Sequence, residues 1–178
     1  TTKQVFNIIK KIKPKKLFIS ADGPKENNRN DLEFCKETRE ITSNIDWECD
    51  VYRNYSDRNL GCKIGMSNAI NWFFENVEQG IILEDDCLPD ITFFPYCAEL
   101  LNKYSDVSKI KMITGDNFLF GKKFTNDSYY FSNIPSIWGW ATWKRAWMEY
   151  DLEMRSYPDF IKNNKISRIF SNQKMKRY

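Results

Sequence analysis

The sequence predicts an α/β fold in which helices flank a mainly parallel, Rossmann-like sheet. Over the first two-thirds of the chain, apolar runs of strand length alternate with helical segments, a pattern typical of one α/β sheet domain. The apolar run Ile81-Ile82-Leu83 leads directly into Glu84-Asp85-Asp86, so three carboxylates follow a short buried strand. Because open α/β sheets bind ligands at the carboxyl ends of their strands, we expect a ligand site there.

Composition excludes several classes of protein. The chain has 178 residues, of which 42% are hydrophobic, which excludes a disordered chain. Its net charge of +3 is too small to indicate nucleic-acid binding, and it has no apolar run long enough for a transmembrane segment. The sequence contains no histidine, so Ser-His-Asp and Cys-His mechanisms are excluded. Proton transfer near neutral pH must therefore use carboxylates, Lys, Tyr, Cys or the substrate itself.

The first predicted element is a helix rather than a strand. Thr1 and Gln4 fit a capping box, apolar residues follow at helical spacing, and Pro14 ends the run. A strand is predicted over residues 17–21, closed by the turn Asp22-Gly23-Pro24. Because doubly wound folds normally open with a strand, we expect that the first strand lies upstream. Residues 1–178 are accordingly expected to be a single domain that is truncated at both ends.

Helices and strands continue to alternate through the middle of the chain. Asp31 is predicted to cap a helix, and residues 46–52 alternate as a strand with one wet face would. A strong helix is predicted from Lys63 to Val77, just before the acidic strand end. Pro89 suits the first turn of the next helix.

The last third is predicted to contain less regular structure. A strand is predicted over residues 109–114, ending at Gly115-Asp116-Asn117, and a short strand over residues 129–132. The Trp-rich segment 137–143 follows, with Thr142 as the cap of a helix over residues 144–150.

The five cysteines indicate free thiols. Their number is odd, no CxxC pair occurs and histidine is absent, so a zinc site is not expected. We predict five free thiols and no disulfide, which indicates a reducing compartment. The expected location is the cytoplasm, with peripheral attachment to a membrane as the alternative.

Three predicted strands end in polar groups: Asp22, then Glu84-Asp85-Asp86, then Asp116-Asn117. If these strands are parallel neighbours, their ends share one edge of the sheet. The acid triplet suits Mg²⁺ or Mn²⁺, which would relieve the repulsion between its carboxylates. Asp22 suits ribose hydroxyls or a base N–H, but an Asx-turn role is equally compatible. For Asp116, a turn role is the favoured alternative.

These residues carry a resemblance to a known family. Ala21-Asp22-Gly23-Pro24 after a strand, Asn59-Leu60-Gly61-Cys62 opening a helix, and Ile81-Ile82-Leu83-Glu84-Asp85-Asp86 resemble GT-A-fold glycosyltransferases. The similar proteins are eukaryotic N-acetylglucosaminyltransferase I and bacterial nucleotide-diphospho-sugar transferases. The resemblance covers roughly residues 1–151. Its most specific parts are the acidic strand end and Ile137-Trp138-Gly139-Trp140-Ala141-Thr142-Trp143.

The resemblance implies a role for each matching residue. Asp86 would hold Mn²⁺, Glu84 and Asp85 would lie against the donor's sugar and ribose, and Asp22 would contact the uracil. Lys63 would lie near the nucleotide, a weaker match. The segments that flank the donor sugar and the acceptor would be Asp116, Asn117 and the Trp138-Gly139-Trp140 loop.

Two departures from the family pattern stand beside these matches. The family's first strand, which carries part of the nucleotide pocket, is absent. The catalytic base has no clear match either. Glu149, Asp151 and Asp159 are the candidates within the chain, and a base beyond Tyr178 is the alternative.

The expected function is metal-dependent transfer of a sugar from a nucleoside diphosphate donor, UDP-linked, to a glycan or polysaccharide acceptor. Inversion is implied by the resemblance alone. A sugar-nucleotide pyrophosphorylase is one alternative, but it needs a Gly-rich phosphate loop and the chain has only seven glycines. A non-catalytic carbohydrate-binding domain is the other. Trp138 and Trp140 flank Gly139, which permits close approach to a ligand, whereas Trp143 fits the core equally well.

Overall fold

The computed structural model describes residues 1–26, 28, 30–123 and 125–169. This part of the chain is a mixed α/β structure, as predicted, but its strands form two small sheets. No helix among the described residues has both the length and the apolar character needed to cross a membrane. The elements in chain order are α1 (Thr2–Ile12), β1 (Lys16–Ala21), α2 (Asp31–Ile41), β2 (Asp50–Tyr55), α3 (Gly61–Asn76), β3 (Gln79–Ile82), α4 (Phe93–Lys103), β4 (Met112–Thr114), β5 (Trp140–Trp143), α5 (Lys144–Trp147), α6 (Tyr157–Lys162) and α7 (Ile166–Ile169).

The first sheet is a parallel pair of β1 and β2, in register from Lys16 opposite Asp50 to Ala21 opposite Tyr55. β2 therefore begins four residues later than the alternation of residues 46–52 predicts. Trp47 explains the shift, because its indole Nε1 donates a hydrogen bond to the carbonyl of Pro14 at 2.9 Å. Its ring also packs on Phe6, with 6.4 Å between ring centroids. Trp47 therefore packs beside the start of β1 and does not extend β2.

The second sheet has the order β3-β5-β4. β5 is antiparallel to both neighbours, so β3 and β4 run in the same direction and end at the same edge. The sequence prediction missed β5, and the prediction of Thr142 as a helix cap is wrong. Thr142 lies in β5, where its hydroxyl donates to the carbonyl of Lys111 at 2.6 Å. Residues 129–132, predicted as a short strand, lie outside the strands of the structure.

β5 forms the centre of the core because helices cover both of its faces. Ala141 and Trp143 pack against α4, together with Phe93 and Cys97. Trp140 points to the opposite face, against Ile70 and Phe74 of α3. All four residues of β5 are buried. Fully burying a large apolar side chain contributes about 1.5–3 kcal/mol, so this strand anchors the edge at which β3 and β4 end.

Candidate functional site

An open cleft of about 1560 Å³ lies between α4 and the segment 115–139. It occupies the edge at which β3 and β4 end. Five of the residues singled out in the sequence line this cleft: Asp86, Asp116, Asn117, Trp138 and Gly139. The structure thus brings together the end of the acidic strand and the Trp-rich loop, which lie more than 50 residues apart in the sequence.

Two carboxylates of the acidic turn, those of Asp85 and Asp86, have different surroundings. The backbone N–H of Cys87 donates to the carbonyl of Glu84 at 3.1 Å, which closes a tight turn after β3. Asp85 accepts a hydrogen bond from the Thr2 hydroxyl at 2.9 Å, whereas Asp86 is exposed in the cleft. The described residues contain no group of three acids or thiols arranged to hold a metal ion. If Asp86 held a cation here, water and substrate oxygens would complete its shell, as is common for Mg²⁺.

The acidic turn still carries an electrostatic cost. Partial burial raises the pKa of Glu84, and the carboxylates of Asp86 and Asp85 raise it further. The carboxylates of Asp86 and Asp85 therefore disfavour the charge on Glu84. A divalent cation beside Asp86 would lower the pKa of Glu84 instead, because its double positive charge exceeds the charge of any single carboxylate.

A hydrogen-bonded latch holds the other wall of the cleft. The Asp116 carboxylate accepts a hydrogen bond from the backbone N–H of Trp138 at 3.1 Å, and the Gly115 N–H donates to the Gly139 carbonyl at 3.1 Å. Gly139 has φ +81°, and a Cβ there would lie 3.4 Å from Leu83. A glycine is therefore favoured at this position, since L-residues rarely adopt this backbone conformation.

The latch leaves the Trp138 side chain facing solvent at the cleft. Its side chain is 64% exposed, and its ring meets Phe118 edge to face with 5.7 Å between centroids. Trp140 is only 7% exposed and packs in the core. The turn at Gly139 thus separates the two tryptophans, and only Trp138 lines the cleft.

Asp22 and Lys63 lie at the start of α3, and neither belongs to the cleft lining. The Asp22 carboxylate accepts backbone N–H groups from Gly23 at 2.9 Å, Leu60 at 2.8 Å and Gly61 at 2.9 Å. It therefore caps a helix from a distant loop, since α3 has no side-chain cap of its own. Lys63 pairs with Glu153 at 3.1 Å.

The chain matches no known protein family, no curated protein and no solved structure.

The three candidate bases lie outside the cleft lining. Lys111 pairs with the Glu149 carboxylate. Burial raises the pKa of Asp151, but hydrogen bonds from Arg155 outweigh this effect and lower the pKa overall. Asp159 lies in the first turn of α6. None of these carboxylates faces the acidic turn across the cleft.

The sequence interpretation missed an aromatic wall of the same cleft. The hydroxyl groups of Tyr104 and Tyr129 lie 2.6 Å apart, and Lys103 donates to the Tyr129 hydroxyl at 2.8 Å. This hydrogen bond from Lys103, followed by the one from Tyr104, lowers the pKa of Tyr129. Phe131 meets both tyrosine rings edge to face. The run Tyr129-Tyr130-Phe131 is the signal in the sequence, but it was interpreted there as a strand.

Proposed function

We propose that this chain is a GT-A-type glycosyltransferase domain that transfers a sugar from a UDP-linked donor to a hydroxyl of a glycan or polysaccharide. One observation supports the proposal above the others. A carboxylate at the end of β3, Asp86, shares a cleft with the exposed indole of Trp138. A carboxylate suits a cation that neutralises the diphosphate, and an aromatic face suits the apolar side of a sugar ring.

In this proposal, Asp86 holds Mn²⁺ or Mg²⁺. The bound cation supplies charge neutralisation for the departing diphosphate. Glu84 and Asp85 border the donor's sugar and ribose from the same turn. A cation beside Asp86 would also ease the ionisation of Glu84, whose pKa is raised by burial and by the other two carboxylates.

The Trp138 loop borders the sugar in the same proposal. The exposed ring of Trp138 offers an apolar face to a sugar ring, and Asp116 with Asn117 shapes the backbone beneath it. Trp140 supports this loop from the core and makes no contact with substrate. The tyrosines of the aromatic wall add hydroxyl groups that suit sugar hydroxyls.

Asp22 and Lys63 have more indirect roles here. Because Asp22 already accepts three backbone N–H groups, its contribution in this proposal is to fix the start of α3. Lys63 can leave Glu153 at little cost, because an exposed ion pair is worth at most about 1 kcal/mol, and in this proposal it then adds positive charge near the nucleotide.

A carbohydrate-binding domain without catalysis is the second candidate. It is favoured by the position of Glu149, Asp151 and Asp159 outside the cleft lining. Inverting transfer requires a base that removes the proton from the acceptor hydroxyl, and we assign that role to none of the three.

Calorimetry with UDP, in the presence and absence of Mn²⁺, tests the proposal. We expect the wild-type chain to bind UDP when Mn²⁺ is present, and Asp86→Asn to lose at least about tenfold in affinity, or roughly 1.4 kcal/mol. Asp106→Asn, an exposed acid after α4, is the matched control and should bind as the wild type does. Equal affinity in the Asp86 and Asp106 variants would contradict the metal assignment.

Hydrolysis of UDP-linked sugars then separates the two candidates. A transferase should release UDP slowly from UDP-glucose or UDP-N-acetylglucosamine when Mn²⁺ is present. A binding domain should bind the nucleotide sugar and leave it intact.

A further inference from the structure

The segment between β4 and β5 exposes several large apolar side chains. Single apolar residues on a surface are normal, but a group of them in one segment marks a surface that binds something. Part of this surface is continuous, because the rings of Phe118 and Trp138 meet edge to face. The side chains that are at least half exposed are Phe118, Phe120, Phe131, Ile134, Ile137 and Trp138.

Phe120 is the most exposed of these side chains, at 89%. It lies in a tight turn in which the Lys122 N–H donates to the Leu119 carbonyl at 3.0 Å. Phe120 has φ +50° and Gly121 has φ +83°, which is typical of a type I′ turn. Glycine adopts this conformation freely, whereas phenylalanine does so only with strain. The turn thus holds a large apolar side chain out in solvent, in a backbone conformation that such a residue disfavours.

Two lysines follow Phe120 in the same turn. Lys122 and Lys123 are exposed, and neither pairs with an acid in the part of the chain that the structure describes. Residues 118–123 include no acid, so this turn is positively charged. Phe118 and the two lysines line the cleft, whereas Phe120 does not. The turn therefore stands at the rim of the cleft with its phenylalanine directed away from it.

We propose that the turn of residues 118–123 is a membrane anchor, which inserts Phe120 into the headgroup region of a bilayer that contains anionic lipids. Aromatic side chains are favoured at the interface between headgroups and acyl chains, and lysines beside them bind negatively charged headgroups. With the turn inserted, the cleft opens at the membrane surface. This inference does not depend on the proposed function.

A bilayer fits this turn better than a pocket in a protein partner does. A pocket that enclosed Phe120 would also bring two lysines to the centre of an interface, where lysine is depleted. In a bilayer the two kinds of side chain separate, because the aromatic ring lies deeper while the lysine ammonium groups stay among the headgroups. A projecting turn also needs no complementary shape in a fluid interface.

Co-sedimentation of the full chain with lipid vesicles tests the anchor. The vesicles contain phosphatidylcholine alone or phosphatidylcholine mixed with phosphatidylglycerol, which is anionic. Phe120→Asn removes the aromatic ring, and the double variant Lys122→Gln/Lys123→Gln removes the positive charge. We expect the wild-type chain to bind the mixed vesicles and to bind phosphatidylcholine alone more weakly. The double variant should lose at least about tenfold in affinity for the mixed vesicles, and Phe120→Asn at least about fivefold.

Two matched controls show whether these losses belong to the turn. Phe34→Asn removes another exposed phenylalanine, in α2, and Lys15→Gln/Lys16→Gln removes another exposed pair of adjacent lysines. Both controls should bind the mixed vesicles as the wild type does. An equal loss in the Lys15 and Lys16 control would overturn the proposal, because binding would then follow the net charge of the chain rather than the turn.

The stability of Phe120→Asn separates anchoring from a structural role. Asparagine accepts a positive φ more readily than phenylalanine, and the ring that it replaces is exposed. The melting temperature should therefore stay the same or rise while vesicle binding falls. A fall in both would overturn the proposal, since Phe120 would then support the fold. Failure of the wild-type chain to bind the mixed vesicles would also overturn it, and would favour a protein pocket as the site that takes Phe120.

Discussion

The carboxylate of Asp116 accepts a hydrogen bond from the backbone N–H of Trp138 at 3.1 Å. This bond joins the residues that follow β4 to the loop that precedes β5, and it leaves the Trp138 indole exposed in the cleft. The position of an aromatic side chain in the candidate site therefore depends on one acid 22 residues earlier in the sequence.

Asp116→Ala should loosen this loop without unfolding the domain. Losing a hydrogen bond of this kind costs about 1 kcal/mol, so we expect a small drop in melting temperature. Backbone hydrogen exchange should quicken at residues 137–139. Asp106→Ala is the matched control, and it should change neither quantity. An unchanged exchange rate at residues 137–139 in Asp116→Ala would show that the latch does not hold the loop.

Asp22→Ala should destabilise the fold. The variant leaves the N–H groups of Gly23, Leu60 and Gly61 without their acceptor, and loss of a helix cap alone costs about 0.5–2 kcal/mol. We expect a loss of about 2 kcal/mol in the free energy of unfolding, measured with urea, since bonds to a charged acceptor are the stronger ones.

Asp57→Ala, in the exposed loop after β2, is the control for Asp22→Ala. If Asp22→Ala kept full stability but lost UDP binding, its carboxylate would be a ligand-binding group rather than a helix cap.

Two glycines with the same backbone conformation allow a matched comparison. Gly139 has φ +81° and Gly121 has φ +83°, but only Gly139 has neighbours within reach of a Cβ. Alanine at either position should cost about 1 kcal/mol of backbone strain. The methyl group of Gly139→Ala would lie at ordinary van der Waals distance from Leu83, so the two variants should lose similar stability. Only Gly139→Ala should also weaken UDP binding, because only Gly139 lines the cleft. Equal UDP affinity in the two variants would show that the backbone at Gly139 does not shape the binding site.

The thiols should react in the order of their exposure. Cys62 is exposed and should react first with a thiol reagent at pH 8. Burial raises the pKa of the Cys97 thiol to about 12, so its reactive thiolate is scarce at pH 8. Cys97 should therefore react only after unfolding.

Cys62→Ser should remove the fastest phase of this reaction and leave the slower phases unchanged. In denaturant without a reducing agent, all five thiols should titrate. A count of three or fewer would contradict the prediction of free thiols.

The helices were the most predictable part of the fold, because their apolar spacing is local. The predicted helix over residues 63–77 agrees with α3 to within two residues at its start and one at its end. β2 begins at Asp50 rather than at residue 46. Trp47, in the first part of the predicted strand, packs instead on Phe6, a residue distant in the sequence. β5 was missed because both of its faces are buried. A strand of this kind has no alternation to detect.

The site was predictable only where side chains follow strand ends. Asp86 and Asp116 were brought to one cleft by the parallel course of β3 and β4. The different positions of Trp138 and Trp140 could not be predicted, because they depend on the left-handed backbone of Gly139. The capping role of Asp22 depends on the distant N–H groups of Leu60 and Gly61. Likewise, the pairing of Tyr104 with Tyr129 depends on a tertiary contact.

β5 is the middle strand of its sheet and also the last strand along the described chain. While the protein is being synthesised on the ribosome, β3 and β4 therefore emerge well before the strand that pairs with both. The apolar residues of β3 and β4 cannot pair until Trp140–Trp143 has been synthesised. Contacts between residues so distant in sequence also form slowly. Folding of this half of the molecule is consequently a late event, and the nascent chain exposes an apolar surface of the kind that chaperones bind until β5 arrives.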